Sequence, residues 1–139
     1  MALAFCAMFA PIAHVLEMPN KLQLDRQLWL AVQQTLFRGW GPFIGAPTEI
    51  GALALSIMAR LLYSKDSGVR WLWLHSACVY IGMIIVFFVL NSPVNTAVAG
   101  WHRDTLPADW TSYRARWELG HGLAAIFSCI GLKANRFGS

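Results

Sequence analysis

The sequence has 139 residues, of which 57% are hydrophobic and 13% are charged. Soluble domains carry roughly 45–50% apolar and about 25% charged residues, so a water-soluble domain is disfavoured. The 11 basic and 7 acidic residues are spread along the chain, which excludes a nucleic-acid module with a clustered basic patch. A membrane span needs about 20 apolar residues. We therefore expect an all-α integral membrane protein that forms a single domain over residues 1–139.

Four apolar stretches predict four transmembrane helices, at approximately residues 2–18, 42–62, 71–92 and 110–133. The third is the clearest, because Trp71 to Leu90 contains no charged residue. A secretory signal peptide is the main alternative for the first stretch, but a basic leading segment and a small-residue cleavage site are missing. The first stretch is also short for a span, and an earlier start of the chain would complete it.

The connections between these helices differ in character. Asp25 is a good helix cap, and the segment from Arg26 to Phe37 that follows it predicts a helix in the membrane interface between helices 1 and 2. Its predicted apolar face consists of Leu28, Trp29, Val32 and Leu36. Arg60 to Arg70 is a short basic hairpin with Lys65-Asp66-Ser67-Gly68 as its turn. The tryptophan-rich segment from Trp101 to Trp117 is expected to roof one end of an up-down bundle.

Basic residues indicate the orientation only weakly. Five lie on the side of the termini and six in the two long loops, where Lys21 and Arg38 are placed. The positive-inside rule gives most weight to short loops, which favours cytoplasmic termini. For a bacterial protein the compartment is then the cytoplasmic membrane, with a multi-pass topology. No pattern in the sequence predicts the oligomeric state.

The three cysteines argue against one class of small membrane bundle. Cys6, Cys78 and Cys129 each stand alone in an apolar stretch without a Cys-x-x-Cys pair. Disulfide-handling quinone reductases need such paired cysteines. We expect the three to be buried apolar fillers.

Polar residues within the apolar stretches gather at one predicted membrane face. In an up-down bundle, the end of helix 1, the start of helix 2, the end of helix 3 and the start of helix 4 lie at the same face. Ionisable residues in a membrane usually face the bundle interior and mark function. The sequence therefore predicts a functional polar pocket there, drawn from His14, Glu17, Asn20, Glu49, Asn91, Asn95, Glu118 and His121.

Two spacings within this group are compatible with a metal. His14-x-x-Glu17 and Glu118-x-x-His121 each place both side chains on one helix face, as in the Glu-x-x-His pairs of di-iron bundles. These four residues are the candidate ligands for iron or copper. The simpler alternatives are that His14 and Glu17 are interfacial, and that Glu118 pairs with Arg114 one turn earlier.

The tryptophans and one proline also have simple interpretations. Trp101 and Trp117 are typical interface anchors. Pro93 is expected to end or kink helix 3, leaving carbonyls and the Asn91 and Asn95 amides free for hydrogen bonds in the pocket.

Several segments together resemble the anthrone oxygenase-like integral membrane family, most of whose bacterial members are uncharacterised. They are His14 to Lys21, Gln33 to Trp40, Ser92-Pro93-Val94-Asn95 followed by Trp101, and Tyr113 to His121 in the pattern Tyr-x-x-x-Trp-Glu-x-Gly-His. The resemblance covers nearly the whole chain. It implies a four-helix membrane bundle and the oxidation of anthrones to anthraquinones with molecular oxygen. It also implies that no metal or organic cofactor is added, so iron or copper is the second choice.

Combined with the pocket, the resemblance implies a role for each polar residue. His121 is expected to be the general base, because imidazole titrates near neutral pH, and Glu118 or Glu17 to orient it. Asn95 and Asn91 are expected to donate hydrogen bonds to the developing oxyanion. Trp117, Trp101, Asn91 and Glu49 are the candidate substrate-binding residues, with Trp117 and Trp101 stacking on a flat substrate.

The expected partners are the lipid bilayer and a lipophilic small molecule, and no nucleic acid. A non-enzymatic role is the alternative: the same polar groups are compatible with a helper subunit or with a path for protons or a small solute.

Overall fold

The computed structural model describes residues 2–62 and 67–137, with side chains described for 6–62 and 71–131. Within these ranges the chain is helical and has no strand, which confirms the all-α prediction. The helices are α1 (Ala2–Lys21), α2 (Arg26–Thr35), α3 (Ala46–Leu62), α4 (Ser67–Val86), α5 (Ser92–Ala99) and α6 (Trp110–Phe137). Two π-helical segments, Gly41–Gly45 and Phe87–Asn91, lead into α3 and join α4 to α5. A short 3-10 turn, Arg103–Thr105, precedes α6.

The four long helices pack side by side. Helix α1 contacts α3 and α6, and α4 contacts the same two helices. Lys21 at the end of α1 meets Glu118 near the start of α6, and Asn91 after α4 meets Trp117 near the start of α6. Helix α6 is therefore antiparallel to both α1 and α4. The shared core contains Ala7, Ala52, Tyr80, Met83 and Ala124.

Two helical stretches in the described residues are long and apolar enough to cross a membrane, Gly41–Leu62 and Trp71–Ala99. Only 11% and 28% of their most apolar windows are buried inside the protein. Their apolar side chains therefore point mostly away from the neighbouring helices. This is coarser than the four predicted spans, because α1 and α6 do not meet the same criterion within the described residues.

The helix that begins with α4 passes through Pro93 instead of ending there. A π-helical turn precedes the proline, with the Ser92 N–H bonded to the Phe87 carbonyl, and α5 continues the helix to Ala99. Proline has no N–H to give to the carbonyl four residues earlier, which is that of Val89. Arg116 donates to this carbonyl instead. The proline thus leaves a carbonyl without its helical partner, as predicted. The hydrogen bond to this carbonyl comes from the exposed side chain of Arg116 and not from a group in the pocket.

The predicted cap of α2 is confirmed. The Asp25 carboxylate accepts hydrogen bonds from the backbone N–H groups of Gln27 and Leu28, at 2.9 and 2.8 Å. These groups have no partner within the helix, so the side chain of Asp25 satisfies two of them.

The predicted apolar face of α2 is partly buried in the protein and partly exposed. Trp29 is buried, as is the neighbouring Leu30, whereas Leu28 and Leu36 are 51% and 60% exposed. The difference arises because α2 packs against α5, which supplies Val94 and Val98 to a cluster also containing Trp29, Leu30 and Trp117. The face of a short helix that is buried depends on the neighbour it meets.

Two further predictions concern the cysteines and the hairpin. Cys6, Cys78 and Cys129 are all exposed, so the prediction that they fill the core is wrong. They lie on outward-facing positions of α1, α4 and α6. The predicted turn Lys65-Asp66-Ser67-Gly68 lies partly outside the described residues.

Candidate functional site

An apolar cavity of about 120 Å³ lies between the long helices, and we call it the inner cavity. Both π-helical segments contribute to its wall, a placement often found at functional sites. Its polar lining residues are His14, Glu49, Asn91 and His121. Four of the eight polar residues predicted to share a membrane face therefore do meet. The apolar lining includes Pro11, Trp40, Met83, Ile84, Phe87 and Phe88.

A larger and more polar space of about 670 Å³ adjoins the inner cavity, and we call it the outer groove. Its polar lining comes from α2, α5 and the loops beside them: Gln33, Gln34, Thr35, Arg38, Asn95 and His102. Five residues line both spaces: His14, Trp40, Gly41, Phe87 and His121. The two histidines thus lie where an apolar space meets a polar one.

His14 is enclosed by aromatic rings. It is 3% exposed, and its ring centroid lies 4.1 Å from that of His121 and 4.8 Å from that of Trp117. The ring centroids of Phe37 and Trp40 lie 4.6 and 5.4 Å from that of His14. Its Nδ1 has no hydrogen-bond partner among the described residues, and the nearest carboxylate oxygen, from Glu17, is 3.9 Å away. His14 is therefore buried among side chains of the protein itself.

Trp117 is a structural centre of the site and has little free surface. It is 2% exposed, and its Nε1 donates to Asn95 Oδ1 at 2.9 Å. Its carbonyl accepts from Asn91 Nδ2, also at 2.9 Å. The His121 ring and the Lys21 ammonium lie 4.2 and 4.6 Å from its ring. Trp117 also contributes to the lining of the outer groove, although these contacts cover most of its surface.

Trp101 has more exposed surface than Trp117. It is half-buried, its ring contacts that of Tyr113 at 5.0 Å, and it lines the outer groove. Gln34 fixes the backbone there by donating to the carbonyls of Val98 and Trp101, at 2.8 and 2.9 Å. A ligand in the outer groove can therefore reach Trp101.

A buried ion pair joins α1 to α6 beside the site. Lys21 Nζ lies 3.2 Å from Glu118 Oε2, and both side chains are 5% exposed. The simpler interpretation that Glu118 pairs with Arg114 is thus wrong, as is the placement of Lys21 in a loop. Arg114 donates to the carbonyls of Leu22 and Leu24, at 3.3 and 3.1 Å, and so holds the chain after α1 against α6.

The proposed metal ligands do not form a donor set. Among the described residues, no three His, Cys, Asp or Glu side chains lie together as metal ligands would. His14 and His121 are adjacent, but the Glu118 carboxylate is already paired with the Lys21 ammonium, which competes with a metal ion for it. These four residues do not fit iron or copper.

The remaining predicted residues lie in different environments. Glu49 lines the inner cavity and forms no hydrogen bond or ion pair with its side chain in the described part of the chain. Asn95 is exposed at the outer groove, and Asn20 is exposed outside both spaces. Sequence reasoning missed Trp40 and Phe87 as cavity residues, since both resemble ordinary membrane-facing aromatics.

Gly120 allows Asn91 to approach α6, which leads to a stability prediction. A Cβ at Gly120 would overlap the Asn91 carboxamide, with Cγ at 2.7 Å. Gly120→Ala is expected to lower the free energy of unfolding by about 1–3 kcal/mol through overpacking. Gly122→Ala is the matched control, because a Cβ there meets nothing within 4 Å. It should be neutral or stabilise by up to about 1 kcal/mol. Denaturant titration in detergent measures both, and equal effects would contradict the close approach.

The two adjoining spaces, the enclosed histidine pair and the buried ion pair are the features that any function of the protein has to use. Their role has to be inferred from their chemistry, because no protein-family model, no curated protein and no solved structure matches this chain.

Proposed function

We propose that the protein is an integral membrane oxygenase of the anthrone oxygenase type, which oxidises an anthrone-like or other lipophilic aromatic substrate with molecular oxygen. The observation that carries the proposal is the pair formed by His14 and His121 in the wall of an apolar cavity. Such a cavity accepts a lipophilic substrate, and a histidine in its wall can take a proton from it.

The membrane part of the proposal rests on the outward-facing surface. Large apolar side chains are exposed along α3, α4 and the π-helical segment after α4, including Ile50, Leu61, Ile85 and Phe88, at 55–68%. Contiguous surfaces of this kind are rare on soluble monomers. Helices α1 and α6 have 20 and 28 residues, and at 1.5 Å per residue even the shorter spans about 30 Å. We propose four antiparallel spans, with α2 in the interface and its Leu28 and Leu36 toward lipid.

The proposed reaction converts a benzylic CH₂ flanked by aromatic rings into a carbonyl. His121 removes one proton, and the resulting carbanion transfers its electrons to O₂ so that a C–O bond forms. The hydroperoxide then loses its second benzylic proton and the O–O bond breaks, releasing water. One oxygen atom ends in the carbonyl and the other in water, so O₂ is the oxidant and one O₂ is used per substrate.

The described side chains provide the environment for this chemistry. Asn95 Oδ1 accepts from Trp117, so its amide N–H groups remain available to the oxyanion from the side of the outer groove. Trp40 and Phe87 line both spaces and are better placed than Trp117 to contact a flat ring. Glu118 acts at a distance, since its pairing with Lys21 fixes α1 against α6 and thereby the two histidines.

Oxygen uptake tests the proposal directly. The protein in lipid nanodiscs is given an anthrone, with empty nanodiscs as the control for spontaneous oxidation. We expect protein-dependent consumption of one O₂ per anthrone, with one labelled oxygen in the product when ¹⁸O₂ is supplied. Metal analysis of the same preparation distinguishes this chemistry from a metal-dependent oxidation. No uptake above that of empty nanodiscs, with several lipophilic anthrones tried, would contradict the proposal.

A proton path is the second candidate, and one observation favours it. Four hydroxyl-bearing side chains are buried in the protein outside the lining of the inner cavity: Ser56, Ser76, Tyr80 and Ser128. Two of them bond within their own helices, Ser56 to the Ala52 carbonyl and Ser128 to the Ala124 carbonyl. A pH-sensitive dye inside proteoliposomes tests this function, since a path would collapse an imposed pH gradient faster than in empty liposomes.

A further inference from the structure

We propose that the outer groove binds the anionic group of an amphiphilic substrate whose flat aromatic part lies in the inner cavity. The identity of the aromatic part rests on the proposed function. The anion site rests on the groove alone, and it defines the substrate class as an aromatic acid.

Size indicates that one ligand uses both spaces. Small-molecule sites usually have volumes of roughly 300–1,000 Å³. The inner cavity, at about 120 Å³, is below this range, whereas the outer groove, at about 670 Å³, is within it. The spaces share His14, Trp40 and His121. A substrate placed against the histidines therefore has to extend into the groove.

The charges that line the outer groove indicate which chemical group the part of the substrate in the groove carries. The lining of the outer groove includes Arg38 and the side chain of His102 but no aspartate or glutamate. Arg38 is exposed and forms no ion pair with the described residues. A guanidinium group binds carboxylates through paired, charge-assisted hydrogen bonds. The groove therefore favours an anion, while Glu49 in the inner cavity disfavours one there.

Unused hydrogen-bond donors support the same assignment. Gln33 Nε2 is buried and has no hydrogen-bond partner in the described chain, although Gln33 lines the groove. A buried amide donor without an acceptor is unfavourable. The Asn95 amide also lines the groove with its N–H groups unused. Acceptor oxygens on a ligand in the groove would bond to the Asn95 amide as it stands, and to Gln33 Nε2 once that side chain turns toward the groove.

A binding experiment with an unreactive probe tests this assignment separately from the reaction. Anthraquinone-2-carboxylate and its methyl ester are already oxidised, so their affinities do not depend on turnover. Tryptophan fluorescence of the protein in phosphatidylcholine nanodiscs reports binding, because Trp40 and Trp101 line the groove. We expect the acid to bind at least about tenfold more tightly than the ester.

Variants locate the two halves of the site. Arg38→Gln should remove the preference for the acid and leave the affinity for the ester within about twofold. Arg26→Gln is the matched control, since Arg26 is an exposed arginine outside both spaces. Ala46→Phe fills the inner cavity, of which Ala46 is a lining residue, and should weaken both ligands.

Three outcomes would overturn the assignment. Equal affinities for acid and ester would remove the anion site. An equal loss in the Arg38 and Arg26 variants would show a general effect of surface charge. Weaker binding of the acid in phosphatidylglycerol nanodiscs would assign the groove to a lipid headgroup if the Arg26→Gln variant shows the same weakening and the Arg38→Gln variant does not, since repulsion by the membrane surface affects all variants alike. A preference for the acid without any oxygen uptake would contradict the proposed function and leave the anion site standing.

Discussion

Replacing His121 with alanine is expected to lower the rate of substrate oxidation by about 100-fold to 10,000-fold, the range for loss of a general base. His121 lines both the inner cavity and the outer groove, so it can reach a proton on a substrate that occupies them. Oxygen uptake with an anthrone in nanodiscs measures the effect. His75→Ala is the matched control, because His75 is exposed on α4 and lines neither space, and its rate should stay within about twofold.

The loss has to be separated from a structural effect. The His121 ring contacts those of His14 and Trp117, at 4.1 and 4.2 Å, so the alanine variant leaves a gap. His121→Gln keeps more of the volume but cannot accept the proton as a base. Both variants should therefore lose activity, whereas the glutamine variant should unfold at nearly the temperature of the unchanged protein. Undiminished oxygen uptake in either variant would exclude His121 as the base.

Much of the site follows from chain order. Apolar stretches predicted the long helices, and the alternation of antiparallel helices brought His14, Glu49, Asn91 and His121 to one cavity. This prediction depends only on which end of each helix a residue occupies. The Asp25 cap was equally predictable from the sequence, because its hydrogen bonds involve only residues of its own turn.

Side-chain contacts between different helices could not be predicted from the sequence. Lys21 follows Pro19 and Asn20 and resembles a loop residue, yet α6 supplies Glu118 and the Trp117 ring to it. The burial of Leu30 in α2 likewise depends on another helix, since α5 supplies Val94 and Val98 to the cluster that covers it.

The π-helical segments gave no sequence signal of their own. Gly41–Gly45 begins beside a proline that indicates only a helix start, and Phe87–Asn91 resembles any apolar helix. Both segments border the inner cavity, which Trp40 and Phe87 also line. A prediction from helical periodicity assumes a constant number of residues per turn. It therefore cannot predict which way side chains face in or after a π-helical segment.

Removing one partner of the buried ion pair is expected to have the largest effect on stability. Lys21→Met leaves Glu118 as a buried charge without its cation, since both side chains are 5% exposed. Breaking such a pair lowers the free energy of unfolding by about 3–5 kcal/mol. Denaturant titration in detergent measures it. Arg26→Met is the control, because Arg26 is exposed and its replacement should change stability by no more than about 0.5 kcal/mol.

The double variant Lys21→Met with Glu118→Leu separates an unpaired charge from lost packing. If the unpaired carboxylate is responsible, removing it as well should recover most of the lost stability, since apolar replacements of buried pairs are often neutral or stabilising. The Lys21 ammonium also lies 4.6 Å from the Trp117 ring centroid, and the methionine keeps an apolar contact there. Additive losses in the double variant would contradict a coupled pair and indicate that each side chain acts through its own packing.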